Sequence, residues 1–401
     1  MICVYSKNLK LNGSEKKTSG LLTHMASTYA FGKKKIFYMN RIKFLEFRES
    51  YILIVIAIFI IYKIGLVSLG YIGNSAIPDN NYEVAHYQIN KDSLLYPWIK
   101  WDSVWYLDII KNGYVGKSLT AFFPLYPLVV KTISQLVFNM SPEIVGLFLS
   151  SLFLFLSLIF LYKLTLLDFD RNISLNSIIF LLLFPCSLFF NLIYAESLLL
   201  LLTVLSVYLA RTNKWHLAGL CGLLASLTKP EGVILFIPLL IELFILIKKD
   251  KKYLKNLIYL ILVPVGLLIY MLYLKYNFNN PFLFIEAQKE WWRVSGNIFT
   301  NLVASFSLIK GIFFICSLLS SYLVFKYIRK SYGIYTLSIL LTSLTGTFTS
   351  LNRHTSIIFP IFILIAYINN KHEILGSAVK FIFCLFLSYF IVLYVNGYWV
   401  G

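Results

Sequence analysis

Charge is scarce in this sequence: Asp, Glu, Lys and Arg make up 13% of its 401 residues, about half the share that a soluble domain uses to solvate its surface. With 59% hydrophobic residues, an ordinary soluble globular class is excluded. Acidic residues are scarcer than basic ones, 18 against 36. The resulting charge of +18 does not indicate a nucleic-acid-binding domain, because Lys and Arg occur as short clusters between apolar runs and form no soluble basic domain. Cysteine is also rare. Of the five, Cys186, Cys221, Cys316 and Cys384 lie within apolar runs and Cys3 lies in the amino-terminal segment. The absence of a CxxC or Cys/His pair argues against a disulfide framework or a zinc site. No GxxxxGK[ST] or GxGxxG loop is present, so direct use of ATP is unsupported. The amino-terminal segment lacks the short apolar core and small-residue cleavage site of a signal peptide. Residues 1–48 therefore read as a basic cytoplasmic tail, with Met39 as an alternative start.

What the sequence does contain is long apolar runs. A membrane-spanning helix needs about 20 apolar residues, and such runs lie near 51–70, 144–162, 174–193, 195–210, 215–228, 232–247, 256–274, 302–325, 333–350, 355–369 and 375–396. They predict an all-α polytopic bundle of about eleven spans forming one transmembrane domain over 49–401. The segment 121–138, AFFPLYPLVVKTISQLVF, carries two prolines and Lys131 and is a poor span. It reads as an interfacial or re-entrant helix closing a first outer loop at 71–138.

Charge fixes the orientation. With the tail inside, together with Lys33, Lys34, Lys35, Arg41, Lys43 and Arg48, the inner connectors are 163–171, 211–214, KKDKKYLK at 248–255, 326–330 and the turn near 371. All are short and basic, as the positive-inside rule requires. Counting 121–138 as a span would put KKDKKYLK outside. The eleven-span arrangement, with the amino end inside and the carboxyl end outside, is therefore preferred.

That topology collects five polar segments on the outer face: WDSVWYLDIIKNGY at 101–114, YAES at 194–197, TKPEG at 228–232, NNPFLFIEAQKEWWR at 279–293 and LNRH at 351–354. Polar groups at membrane depth are costly unless they pair or function. Each has a bland reading and a chemical one. Asp102 heads a helical stretch and suits a cap, or else a general base taking a proton from a sugar hydroxyl; spacing alone favours the cap. Asp108, six residues on, points about 120° away on a helix, so no close carboxylate pair forms locally. Glu196 reads as a cap or an interior hydrogen bond. Lys229 and Glu231 flank Pro230 and either pair across the turn or, for Lys229, meet a phosphate. Arg353 either snorkels to headgroups or binds a ligand. The tryptophans 98, 101, 105, 291, 292 and 399 suit interface anchors, with sugar stacking as the alternative.

In order along the chain, WDSVWYLDIIKNGY, AFFPLYPLV, FFNLIYAESLLLLL, LAGLCGLLASLTKPEG, NNPFLFIEAQKEWWR, RHTSIIFP and NGYWVG resemble the glycosylphosphatidylinositol mannosyltransferase II (PIG-V-like) family and its prokaryotic relatives. The resemblance covers about residues 45–401. It implies a GT-C type glycosyltransferase, mannosyltransferase-like and inverting, that moves a sugar from a polyprenyl- or dolichyl-phosphate carrier to a lipid or glycan acceptor at the extracytoplasmic face. It implies Asp102 as the catalytic base, reversing the cap reading. Trp101, Asp108, Tyr126, Glu196, Lys229, Glu231, Gln288, Arg353 and His354 are then substrate-binding positions. No cofactor or metal is implied, since the lipid-phosphate sugar is a co-substrate. Two departures stand out: Thr228-Lys229-Pro230 where the family shows Thr-Arg-Pro, and Arg353-His354 where it shows Arg-Tyr. Lysine keeps the charge but loses the guanidinium fork. The rival readings are a flippase or transporter of lipid-linked saccharides and a non-catalytic subunit of a glycosylation complex. A transporter would carry related halves and polar groups at the midplane, and neither is visible.

Overall fold

Long apolar runs punctuated by proline fold here as helices and short 3-10 turns, with no strand among the described residues. A computed structural model describes residues 51–80, 93–137, 140–290, 308–343 and 351–401. The tail over 1–48, Trp291, Trp292 and parts of the runs at 302–325 and 333–350 lie outside the described residues. The chain divides into two units between Ala57 and Ile58. The described part of the first unit is the opening two turns of one helix, residues 51–57, and the second unit carries the remaining elements.

Among the described residues, five helices are long and apolar enough to cross a membrane: α1 (Tyr51–Asn74), α4 (Pro142–Thr165), α8 with its leading 3-10 turn (Pro230–Lys249), α9 (Lys251–Phe278) and α15 (Glu373–Val395). A sixth is reached if α5 (Arg171–Leu183) and the 3-10 turn Pro185–Asn191, bent by 83°, count as one span. The described residues do not confirm the number eleven. Helices α6 (Glu196–Arg211), α7 (Trp215–Thr228) and α14 (Phe359–Lys371) are 16, 14 and 13 residues long, and the described part of α12 (Lys330–Ser343) is 14. At 1.5 Å per residue none exceeds about 24 Å, short of the ~30 Å hydrocarbon core. The segment 121–138 forms helix α3 (Leu125–Leu136), 12 residues and too short to span. The remaining helices are α2 (Asp102–Asn112), α10 (Leu283–Glu290), α11 (Leu308–Leu323) and α13 (Leu351–Ser356).

Prolines set the breaks. The residue before proline is pushed to extended backbone, and Phe184 (ψ 136°) and Lys229 (φ −157°, ψ 155°) both comply. Each ends its helix and throws the chain into a 3-10 turn beside the site. Helix α4 starts with Ser141 ahead of Pro142, the favoured place for proline.

Packing follows small residues. Helix α7 runs against α6 on one side and α9 on the other. A Cβ on Gly219 would lie 2.1 Å from the Tyr259 carbonyl oxygen, and one on Gly266 2.2 Å from that of Leu223. Only glycine allows this approach, the usual device where lipid offers no hydrophobic drive between helices. At the end of α6, Arg211 pairs with Asp168, and Arg329 Nε reaches Glu242 Oε1 of α8 at 2.5 Å. These pairs tie connectors expected on the inner side.

Candidate active site

Two carboxylates from segments almost a hundred residues apart stand at helix amino termini facing one arginine. Asp102 is the first residue of α2 and Glu196 the first of α6, where the helix dipole favours negative charge. Trp101, just before Asp102, has φ 55° and ψ −126°, a conformation that costs a non-glycine residue about 1–3 kcal/mol and collects at functional sites. The Asp102 side chain does not cap its helix. Its Oδ2 accepts from Arg353 Nη1 at 2.6 Å, and its backbone N–H donates to the Tyr194 hydroxyl at 3.1 Å. Arg353 Nε lies 3.1 Å from Glu196 Oε1, and that oxygen also accepts from Lys229 Nζ at 2.9 Å. His354 Nδ1 stands 2.9 Å from Glu231 Oε1.

Four of the five polar segments expected on the outer face thus meet in one run of charges, Asp102–Arg353–Glu196–Lys229, with Glu231–His354 alongside. Three carboxylates face an arginine, a lysine and a histidine. Burial alone would lower the Arg353 pKa, but Asp102 and Glu196 outweigh it and hold the guanidinium above its ordinary value. The arginine does not snorkel: its side chain is 7% exposed and that of Asp102 20%. Lys229 pairs with Glu196 rather than across the turn with Glu231. Buried carboxylate oxygens Glu196 Oε2 and Glu231 Oε2 have no hydrogen-bond donor among the described residues, so each can accept from an entering hydroxyl.

Aromatic rings wall the cluster. The Arg353 guanidinium lies 5.4 Å from the Tyr194 ring, 5.6 Å from Trp399 and 5.7 Å from Phe189, within cation–π range. Trp399 meets Trp101 edge to face at 5.2 Å. Burial, then the nearby charges of Glu196 and Asp102, raise the Tyr106 phenol well above its usual pKa, so it stays neutral. Tyr106 in turn packs on Phe122 and Tyr126, each at 5.1 Å.

The other expected positions lie apart. Tyr126 is fully buried, its hydroxyl 2.8 Å from Ser150 Oγ of α4, so it sits beneath Tyr106 and does not line an opening. Asp108 is buried and accepts from Asn112 one turn on at 2.8 Å. Gln288 is half-buried on α10, a helix whose Leu283 and Phe284 pack with Phe123 and Tyr270. Trp98 is buried against Gly70, away from the charges. Sequence reasoning does not single out Tyr194 or Phe189 as site residues, and it gives Trp399 sugar stacking only as the alternative to an interface anchor. Tyr194 and Phe189 stand in the FFNLIYAES string, and Trp399 in the closing NGYWVG. Among the described residues no group of three or more His, Cys, Asp or Glu side chains is gathered to hold a metal ion.

The helices and this buried charge cluster define a multi-pass membrane protein with an enzyme-like polar site. Residues 76–294, more than half of the chain, match the family model described as mannosyltransferase (PIG-V), and the chain belongs to that family of glycosyltransferases. Among curated relatives it is 28% identical over 146 residues to "GPI mannosyltransferase 2" of Schizosaccharomyces pombe, covering 35% of this chain and 31% of that one. It is 32% identical over 106 residues to "GPI mannosyltransferase 2" of Drosophila pseudoobscura pseudoobscura, covering 24% of each. The matched regions thus span about a third or less of these relatives' length. Two solved structures of the Archaeoglobus fulgidus oligosaccharyltransferase are similar. One, with a tethered acceptor peptide, has a TM-score of 0.48 and 14% identity, covering 85% of this chain and 55% of that one. The other, with an inhibitory peptide and a dolichol-phosphate, has a TM-score of 0.47 and 12% identity, covering 86% and 56%.

Proposed function

We propose that this protein transfers a sugar, mannose by its family, from a polyprenyl- or dolichyl-phosphate donor to a hydroxyl of a lipid or glycan acceptor, with Asp102 as general base. The observation that carries the reading is the charge run that sets Asp102 against Arg353 and Glu196. Oδ2 is occupied by Arg353, while Oδ1 has no partner among the described residues and the side chain keeps an opening to its surroundings. The guanidinium bonds Oδ2 and fixes the direction of the carboxylate.

In the proposed step Asp102 takes the acceptor's hydroxyl proton. The acceptor oxygen bonds to the anomeric carbon from the face opposite the leaving group. The carbon–oxygen bond to phosphate breaks with its electron pair moving to the phosphate oxygen, so configuration inverts. Glu196 Oε2 and Glu231 Oε2 accept from sugar hydroxyls, and Trp399 and Trp101 offer aromatic faces to a ring. Asp108, Gln288 and Tyr126 support the walls from further out. No metal or organic cofactor enters the step. The basic inner connectors favour an extracytoplasmic site and a cytoplasmic amino end.

The test is genetic and chemical. Mass spectrometry of glycans and lipid-linked sugars, with and without the gene, should show one hexose missing from a product and its lipid-phosphate donor accumulating. Wild-type chain should restore the hexose and Asp102→Asn should not. Sugar crossing the membrane without a new glycosidic bond would support the flippase reading instead.

A further inference from the structure

Among the described residues, Lys63 is a membrane-embedded cation that the proposed transfer does not use. Lys63 stands at the middle of α1, where a lysine is costly and marks function unless something compensates its charge. Its Nζ donates to Ser151 Oγ of α4 at 2.9 Å and to Asn191 Oδ1 at 3.0 Å. Both are neutral acceptors. An ammonium has three donors, so one is left over, and no carboxylate lies within ion-pair distance among the described residues. The neighbouring Tyr62 hydroxyl accepts from Asn191 Nδ2 at 2.8 Å and lies 3.1 Å from Ser187 Oγ. These groups hold the lysine in place without neutralising it. It is half-buried, so an anion can approach.

Two further observations give the anion a source. Asn191 ends the bent turn Pro185–Asn191, which also carries Phe189 against the Arg353 guanidinium. Three residues on, Tyr194 holds the backbone of Asp102. Lys63 is thus anchored to the same short segment that walls the charge cluster. Within that cluster Arg353 and Lys229 are already engaged by Asp102 and Glu196. A phosphate arriving there would meet paired cations and three carboxylates, so it needs a cation outside the run.

We propose that Lys63, aligned by Ser151 and Asn191, is the binding site for the phosphate of a prenyl-phosphate lipid. This rests on the donor class proposed above. The donor's phosphodiester brings one negative charge. When the anomeric carbon–oxygen bond breaks, its electron pair leaves further charge on the phosphate oxygen, and the Lys63 ammonium stabilises that charge as it develops.

The test is equilibrium binding of farnesyl phosphate to the purified full chain in phosphatidylcholine nanodiscs, with farnesol and inorganic phosphate as comparison probes. Lys63→Gln, which can still bond Ser151 and Asn191, should weaken farnesyl phosphate binding about tenfold or more, with Lys63→Arg close to wild type. Farnesol should bind more weakly and equally to all three. Unchanged farnesyl phosphate affinity in Lys63→Gln overturns the assignment, as does equal affinity for inorganic phosphate. If Lys63→Gln fails to fold, Asn191→Leu keeps the charge while misaligning it, and unchanged affinity there is equally decisive. Asp102→Asn should bind farnesyl phosphate like wild type, so a failure at Lys63 and a failure of the catalytic reading are separable.

Discussion

Replacing Arg353 by lysine isolates what its geometry contributes, because charge is kept and the fork is lost. The guanidinium reaches two carboxylates with different nitrogens, Nη1 to Asp102 at 2.6 Å and Nε to Glu196 at 3.1 Å. A single ammonium on a differently shaped stem cannot hold both lines. One charge-assisted contact is lost, worth about 1.5–3 kcal/mol. If the contact to Asp102 is the one that goes, the base is misdirected and transfer slows about 10- to 150-fold at 1.36 kcal/mol per decade. Arg353→Met is a harsher change: it leaves the part-buried Asp102 carboxylate without its cation and Glu196 with Lys229 alone, at a cost of up to about 3–5 kcal/mol. The assay is single-turnover transfer of labelled sugar from a prenyl-phosphate donor in proteoliposomes, with melting temperature measured on the same preparations. Arg353→Lys should melt near wild type and transfer slowly. Wild-type transfer rates in Arg353→Lys, or wild-type melting in Arg353→Met, would refute the claim that this arginine organises the site.

Trp399→Ala should lower kcat/KM about 2- to 30-fold, since it removes one cation–π face worth about 0.5–2 kcal/mol; an unaltered value would return Trp399 to the role of membrane anchor. Gly219→Leu should lower the melting temperature in detergent, because the added side chain meets the Tyr259 carbonyl 2.1 Å from its Cβ position and forces α7 from α9 at about 1–3 kcal/mol or more. An unchanged melting temperature would mean that the close helix crossing is not needed.

The gathering of the charged segments was legible in sequence, because short basic connectors place TKPEG, YAES, LNRH and the WDSVWYLD stretch on one side. Their pairing was not. Local spacing offered Glu231 to Lys229, yet the extended backbone before Pro230 turns the lysine toward Glu196, 33 residues earlier. The cap reading of Asp102 failed because Trp101 takes the cap position and Arg353, 251 residues away, claims the carboxylate. The long apolar run through Leu183, Phe184 and Pro185 looked like one span, since hydropathy reports burial and not direction; Pro185 was the available signal for the 83° bend. Lys63 stayed hidden inside a run apolar enough to absorb it, and Trp399 lay at the far end of the chain from the residues it faces.

The most direct measurement is transfer of radiolabelled mannose from mannosyl-phosphoprenol by purified wild-type and Asp102→Asn protein in proteoliposomes, with lipid extract from cells lacking the gene as acceptor. Asparagine keeps the shape and the Arg353 contact but cannot take a proton. Labelled, alkali-stable product should form with wild type and fall to background with the variant at equal protein and equal melting temperature. Product at the wild-type rate from Asp102→Asn would contradict the account.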